Sequence, residues 1–154
     1  MAILHVDKES ERSPVGPAQF VLAGWISTAP FEDLLDLRIV TAEQGRAVLQ
    51  MPFKVKHSQG GGLMHGGALT TLADTAVAMA IKSLLPESAR FATIKLEMEF
   101  LAPVRQGGVS AEARVAKTGE RTYRGTATVT DEQQRPVARF ISSFKVARNH
   151  RPEA

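Results

Sequence analysis

Residues 59–81 read QGGGLMHGGALTTLADTAVAMAI, a glycine-rich loop that runs directly into the longest apolar segment of the chain. The apolar positions of this segment cover more than one face of a helix, so the helix must be wrapped on most sides. Pro86 marks its end, because proline disfavours helical geometry in the residue before it. Polar interruptions and the following Lys82 favour a buried helix over a membrane span.

The hydrophobic pattern changes to a period of two after the helix. Apolar and polar residues alternate over four segments, at about 93–100, 109–115, 123–130 and 138–146, with short turns between them. Two further strands, 37–42 and 47–53, and a short helix at 30–35 precede the loop. Short turns and clean alternation are typical of an antiparallel meander with one covered face. The sequence therefore predicts an α+β fold with one long central helix wrapped by a curved antiparallel sheet.

The alternation also predicts which side chains share a face. Ile94, Leu96, Met98 and Phe100 form the apolar set of their strand, which places Thr93 on the opposite, polar face.

Length and composition narrow the class of protein. The chain has 154 residues, enough for one domain with a hydrophobic core, and a net charge of only +3 without a basic block. We therefore expect no nucleic-acid partner. The absence of cysteine excludes disulfides, zinc–thiolate sites and a cysteine nucleophile. The N-terminal region lacks the apolar core of a signal peptide, so we expect a cytoplasmic protein without membrane contact.

Asp74 is the one acid in the apolar helix, and its helical neighbours Thr70, Thr71, Val77 and Ala78 are all uncharged. Acids on helices usually point to solvent or pair with a cation three or four residues away. A carboxylate without such a partner in an apolar segment is costly to bury unless it has a task. We interpret Asp74 as a functional acid.

The glycines Gly66 and Gly67 open the helix. Glycine permits a tight loop to enter a helix, and free N–H groups at a helix N-terminus can stabilise developing negative charge. No lysine follows as in a phosphate-binding Walker loop, and no Gly-x-Ser-x-Gly elbow is present. His57 and His65 lack the spacing of a metal site, so we assign them structural or positioning roles.

Three segments in this order, His65-Gly66-Gly67, Leu72-Ala73-Asp74-Thr75-Ala76 and Phe100-Leu101-Ala102-Pro103, resemble the hotdog-fold acyl-CoA thioesterases. The resemblance is greatest to the phenylacetate-pathway, or PaaI-type, family, and it extends over roughly residues 30–147. It implies a homodimer, in some relatives a homotetramer, whose subunits join their sheets edge to edge and share each active site. It implies no cofactor and no metal.

The resemblance also implies the roles of the catalytic candidates. The Gly66 N–H would polarise the thioester carbonyl, with Gln59 near the thioester and His65 as a positioning group. Asp74 would come from the opposite subunit and act as nucleophile or general base, and Thr93 would help to hold the attacking water. The substrate would be a small aryl- or a short- to medium-chain acyl-CoA.

The spacing of Gly66 and Asp74 independently favours a shared site. Eight residues of helix span about 12 Å at 1.5 Å per residue, too far for both to act on one carbonyl within a single chain. Gly67 is a further candidate for substrate binding. Thr118, Gly119 and Arg121 are candidates as well, because basic residues near this turn could bind the phosphates of a ligand.

Two alternatives stay open. A non-catalytic acyl-CoA sensor is possible on the same fold, although residues 1–30 are too short for a helix-turn-helix partner. A hotdog enoyl-CoA hydratase is disfavoured, because no Asp-x-Asn-x-x-His segment is present. The predicted organisation is an N-terminal extension over 1–29, the thioesterase domain over 30–148 and a tail over 149–154.

Overall fold

The computed structural model of the protein describes residues 2–4 and 20–148. The strands are β1 (Ala2–Leu4), β2 (Phe20–Leu22), β3 (Arg38–Glu43), β4 (Arg46–Met51), β5 (Phe91–Phe100), β6 (Val109–Lys117), β7 (Thr122–Asp131) and β8 (Pro136–Val146). The helices are α1 (Pro30–Leu34) and α2 (Gly66–Lys82), and a 3₁₀ turn covers Val55–His57. None of these helices is both long and apolar enough to cross a membrane.

Six strands form one open antiparallel sheet in the order β3-β4-β6-β7-β8-β5. The long helix α2 packs across one face of this sheet, mainly against β4, β6 and β7. Ten of its residues are buried, which fits the all-round apolar pattern of the sequence. The predicted hotdog arrangement, one central helix on an antiparallel sheet, is confirmed.

Small residues let the helix approach the sheet closely. Ala73, Ala76 and Ala80 of α2 are fully buried. The tightest contact is at Gly125 on β7, where an added Cβ would lie only 2.1 Å from Cγ1 of Val77. Glycine is therefore required at this position by the helix packed above it.

The strand β5 contains a bulge at Ile94, and this corrects one prediction. Thr93 pairs with Phe144 of β8, whereas Lys95 pairs with Ser143, so Ile94 is the extra residue. A bulge of one residue shifts the alternation of side chains. Thr93 therefore shares the helix-facing side with Leu96 and does not lie on the polar face that simple alternation predicted.

The segment before α1 packs on the body of the protein. The indole N–H of Trp25 donates to the carbonyls of Lys82 and Leu85, at 2.9 and 3.2 Å, and so caps the end of α2. The Trp25 ring also meets Phe91 edge-on, with centroids 6.4 Å apart. β2 pairs with β1 in a small antiparallel ribbon that the sequence did not predict. Much of the predicted N-terminal extension, residues 1 and 5–19, lies outside the described residues, as does the predicted tail 149–154.

Candidate active site

Asp74 lies on α2 with its carboxylate directed at the start of β5. The hydroxyl of Thr93 donates to this carboxylate, 2.9 Å from Oδ1 and 3.2 Å from Oδ2. Burial raises the pKa of Asp74 above its ordinary value; the Thr93 hydrogen bond opposes this rise, and the nearby negative charge of Glu32 adds to it. A carboxylate with a raised pKa is a stronger base than an ordinary aspartate.

The glycine-rich loop before α2 is closed by backbone hydrogen bonds. The N–H of His65 donates to the carbonyl of His57 at 2.7 Å, and the N–H of Gln59 donates to the carbonyl of Leu63 at 2.8 Å. These bonds hold the loop as a narrow hairpin whose second arm enters the helix at Gly66. The loop therefore fixes both Gln59 and the first turn of α2.

The two glycines at the helix start differ in their hydrogen bonding. The N–H of Gly67 donates to Nδ1 of His65 at 2.8 Å, so the imidazole serves as the N-cap. The N–H of Gly66 has no acceptor among the described residues. A ligand oxygen can therefore reach the Gly66 N–H, whereas any contact of Gly67 with a substrate would have to use other atoms.

A cavity of about 400 Å³ opens beside Gly66. Its lining is mostly apolar and comprises Gln59, Leu63, Met64, Gly66, Leu69, Phe100, Leu101, Ala102, Pro103 and Val104. The Phe100 ring lies directly on Gly66, since a Cβ there would be 2.9 Å from its Cζ. Oε1 of Gln59 accepts the N–H of Gly61, which leaves the amide nitrogen of Gln59 as a donor.

A larger recess of about 770 Å³ lies between the end of β4 and the start of β6. None of the predicted catalytic or substrate-binding residues borders it, so the smaller cavity beside Gly66 is the better candidate site.

The predicted catalytic residues fall into two groups at different places in the chain. Gln59, His65 and Gly66 form one group beside Phe100, at the end of β5. Asp74 and Thr93 form the other, near the start of β5. With the bulged Ile94 set aside, six steps of the ladder separate Thr93 from Phe100, about 20 Å at 3.3 Å per residue. One chain alone therefore does not bring the two groups together.

The turn between β6 and β7 carries the remaining substrate-binding candidates. The N–H groups of Thr118 and Gly119 both point at the carbonyl of Thr122, and the guanidinium of Arg121 donates to the carbonyl of Val146 at 3.2 Å. Since Val146 pairs with Phe91, this turn lies at the Thr93 end of the sheet and far from Gly66.

Sequence reasoning missed the site contributions of Glu32 and Phe100. Phe100 had a signal, because it is the last residue of the alternating apolar set before Pro103 ends the strand segment. Glu32 had none, since its charge reaches Asp74 only through the packing of α1 on α2. Within residues 20–148, no group of three His, Asp or Glu side chains converges as a metal site requires.

Comparison with known proteins shows the family of the chain. Residues 61–138 match the thioesterase superfamily. A 1,4-dihydroxy-2-naphthoyl-CoA hydrolase from Listeria monocytogenes is 30% identical over 105 residues, which is 68% of this chain and 85% of that protein.

Two solved structures share the fold. The phenylacetic acid degradation protein PaaI from Thermus thermophilus (an N33D mutant) has a TM-score of 0.69 and 28% identity, covering 76% of this chain and 98% of that one. The PaaI protein from the phenylacetic acid degradation operon of E. coli has a TM-score of 0.71 and 27% identity, covering 78% and 86%. The predicted class of enzyme, a thioester hydrolase, is confirmed by the family. The chain therefore belongs to the thioesterase superfamily and has the hotdog fold of its PaaI-type members.

Proposed function

We propose that the protein hydrolyses the thioester of a small aryl- or short- to medium-chain acyl-CoA at a site shared by two subunits. The observation that carries this proposal is the contrast between the two groups of residues. One group offers hydrogen-bond donors, the free Gly66 N–H and the Gln59 amide, beside an apolar cavity. The other offers a carboxylate of raised pKa, Asp74, held by Thr93.

The two groups suit the two halves of thioester hydrolysis. The Gly66 N–H, at the positive end of α2, polarises the carbonyl and stabilises the oxyanion that forms on it. Asp74 takes a proton from water as the water oxygen bonds to the carbonyl carbon, or attacks that carbon itself. The carbon–sulfur bond then breaks, and the thiolate takes up a proton and leaves as the CoA thiol. When water attacks, the acid is released at this step; when Asp74 attacks, a mixed anhydride forms on Asp74, and a water must then hydrolyse it to release the acid and restore the carboxylate.

The exposed edge of β5 supports a dimer. β5 is an edge strand, and its side chains Ile94, Leu96 and Phe100 are 60%, 42% and 55% exposed. An apolar edge strand with unpaired backbone groups is a ready template for a second strand. Antiparallel pairing of two β5 strands about a twofold axis near their midpoints would set Thr93 of one chain opposite Phe100 of its partner.

The lining of the cavity supports the acyl class. Apart from Gln59 and Gly66, the cavity side chains are apolar, so an uncharged aryl or alkyl group fits better than a charged one. We further propose that Arg121 and the basic residues near its turn bind the phosphates of CoA. The hydrolase activity named for the Listeria relative, on an aryl-CoA, is consistent with this class.

Thiol release from a panel of acyl-CoAs tests the reaction. We expect turnover of benzoyl-, phenylacetyl- or hexanoyl-CoA, and a loss of about 10²- to 10⁴-fold in Asp74→Asn, because a general base is removed. Glu112→Gln, which neutralises an exposed acid on the outer face of the sheet, serves as the matched control. Wild-type turnover by Asp74→Asn would refute the assignment, and tight binding without release would favour a sensor.

Mixing inactive variants tests the shared site. Asp74→Asn retains Gln59, and Gln59→Ala retains Asp74, so a heterodimer of the two has one intact site when each site draws on both chains. Random association of a twofold dimer should then restore about a quarter of the wild-type activity. A site contained within one chain predicts no recovery upon mixing.

A further inference from the structure

We infer that His57, through its buried imidazole, is a positioning residue that fixes the loop carrying Gln59 and the Gly66 N–H. The inference deepens the proposed function, on which its kinetic test rests. His57 lies nine residues before Gly66, the first residue of α2, and outside the cavity. Its effect on the reaction would therefore be transmitted through the loop and not through contact with substrate.

The side chain of His57 is one of the most buried polar groups in the described chain, with only 1% of its surface exposed. Its Nδ1 lies 2.7 Å from the carbonyl of Pro52 and 3.2 Å from the backbone nitrogen of Lys54. One ring nitrogen cannot donate and accept at once, and the shorter contact indicates that Nδ1–H donates to Pro52. The ring therefore connects His57 by a hydrogen bond to Pro52, the residue that follows β4.

The backbone of His57 makes the complementary connection to the loop. Its N–H donates to the carbonyl of Lys54 at 2.8 Å, and its carbonyl accepts the N–H of His65 at 2.7 Å. His65 in turn caps α2 through Gly67. A continuous path of hydrogen bonds thus leads from the end of β4, through His57, to the first turn of the catalytic helix.

The hydrogen bond to Pro52 gives a reason for a polar ring at a buried position. Nε2 of His57 has no hydrogen-bond partner within residues 20–148, and burying a polar atom in this way is unfavourable. A phenylalanine would fill the same space without that cost, but it would leave the Pro52 carbonyl without its donor. The hydrogen bond from His57 to Pro52 instead holds the loop in place, and small misplacements of catalytic groups are costly.

Two variants separate positioning from packing. His57→Phe keeps the ring volume and loses the donor, whereas His57→Asn places an amide near the Nδ1 position and loses volume. We expect His57→Phe to lower kcat about 10- to 100-fold with little change in KM, and His57→Asn to recover part of that loss. Val55→Ala, a 91% exposed position in the same turn, is the control and should match the wild type.

Hydrogen exchange supplies a readout that does not require turnover. In folded His57→Phe, the amides of Gln59 and His65 should exchange faster than in the wild type, while those of β6 stay unchanged. An unaltered kcat in folded His57→Phe, or exchange that rises equally across the sheet, would overturn the inference. A wild-type protein that hydrolyses no acyl-CoA would refute the proposed function, and the exchange experiment would still decide the role of His57.

Discussion

The hydroxyl of Thr93 donates to both carboxylate oxygens of Asp74, at 2.9 and 3.2 Å. This contact joins the first residues of β5 to the middle of α2. Burial disfavours the ionised form of Asp74, and the hydrogen bond from Thr93 partly offsets this effect. Thr93 therefore moderates the basicity of Asp74 in addition to holding its side chain in place.

Replacement of Thr93 should change the pH dependence of hydrolysis. In Thr93→Val the hydrogen bond that lowers the Asp74 pKa is lost, so the pKa rises further and the acid limb of kcat/KM moves to higher pH. A pH–rate profile measures this shift. Thr128→Val, on the exposed face of β7, should leave the profile in place. An acid limb that moves to lower pH in Thr93→Val would contradict the assignment.

Neutralising Glu32 should have the opposite effect. The negative charge of Glu32 raises the pKa of Asp74, so Glu32→Gln should move the acid limb of the same profile to lower pH. The glutamine oxygen can still accept the N–H of Ala29, now bound by Glu32 at 3.1 Å. Glu87→Gln removes an exposed acid and serves as the control. Coincident profiles for Glu32→Gln and the wild type would show that the two charges are not coupled.

Asp74→Asn should stabilise the fold while it lowers the activity. Folding raises the pKa of Asp74. Ionisation of Asp74 therefore lowers the free energy of unfolding as the pH rises above the ordinary pKa of 3.8, and this loss is complete above the pKa of the folded state. Thermal unfolding at pH 7 to 8 should therefore give a higher Tm for the variant. The difference should disappear as the pH falls below the ordinary value of 3.8, where both states are protonated. A lower Tm at neutral pH would contradict this prediction.

The close contact of α2 with β7 makes Gly125 intolerant of any side chain. A methyl group there would lie 2.1 Å from Cγ1 of Val77, so Gly125→Ala should cost about 1–3 kcal/mol of unfolding free energy through overpacking. Denaturant unfolding measures the loss. Gly24→Ala, where nothing lies within 4 Å, is the control, and Val77→Ala in the Gly125→Ala background should restore part of the stability.

The sequence predicted the parts of the fold that depend on local periodicity. The all-round apolar pattern of 68–81 indicated a wrapped helix, and the alternating segments indicated the strands of the sheet. Asp74 was predicted to be a functional acid because its helical neighbours carry no charge, and that role stays a prediction. Each of these features is encoded within a window of a few residues.

Features that arise from contacts between distant segments were not predictable in this way. The capping of α2 by Trp25 joins residues 57 positions apart, and the approach of Glu32 to Asp74 depends on the packing of two helices. The side of β5 that carries Thr93 was predicted wrongly, because a bulge leaves no mark in an alternation of polar and apolar residues. The catalytic roles of Asp74, Gln59, His65, Gly66 and Thr93 stay predictions.

The bulge at Ile94 separates two properties that a regular strand would link. Thr93 and Lys95 pair with the consecutive residues Phe144 and Ser143 of β8, so Thr93 faces Asp74 and residues 95–100 keep their register whether or not Ile94 is present. Deletion of Ile94 would therefore keep the hydroxyl on the carboxylate, while it removes from the edge an apolar side chain that is 60% exposed. Assembly and chemistry can thus change independently within one strand.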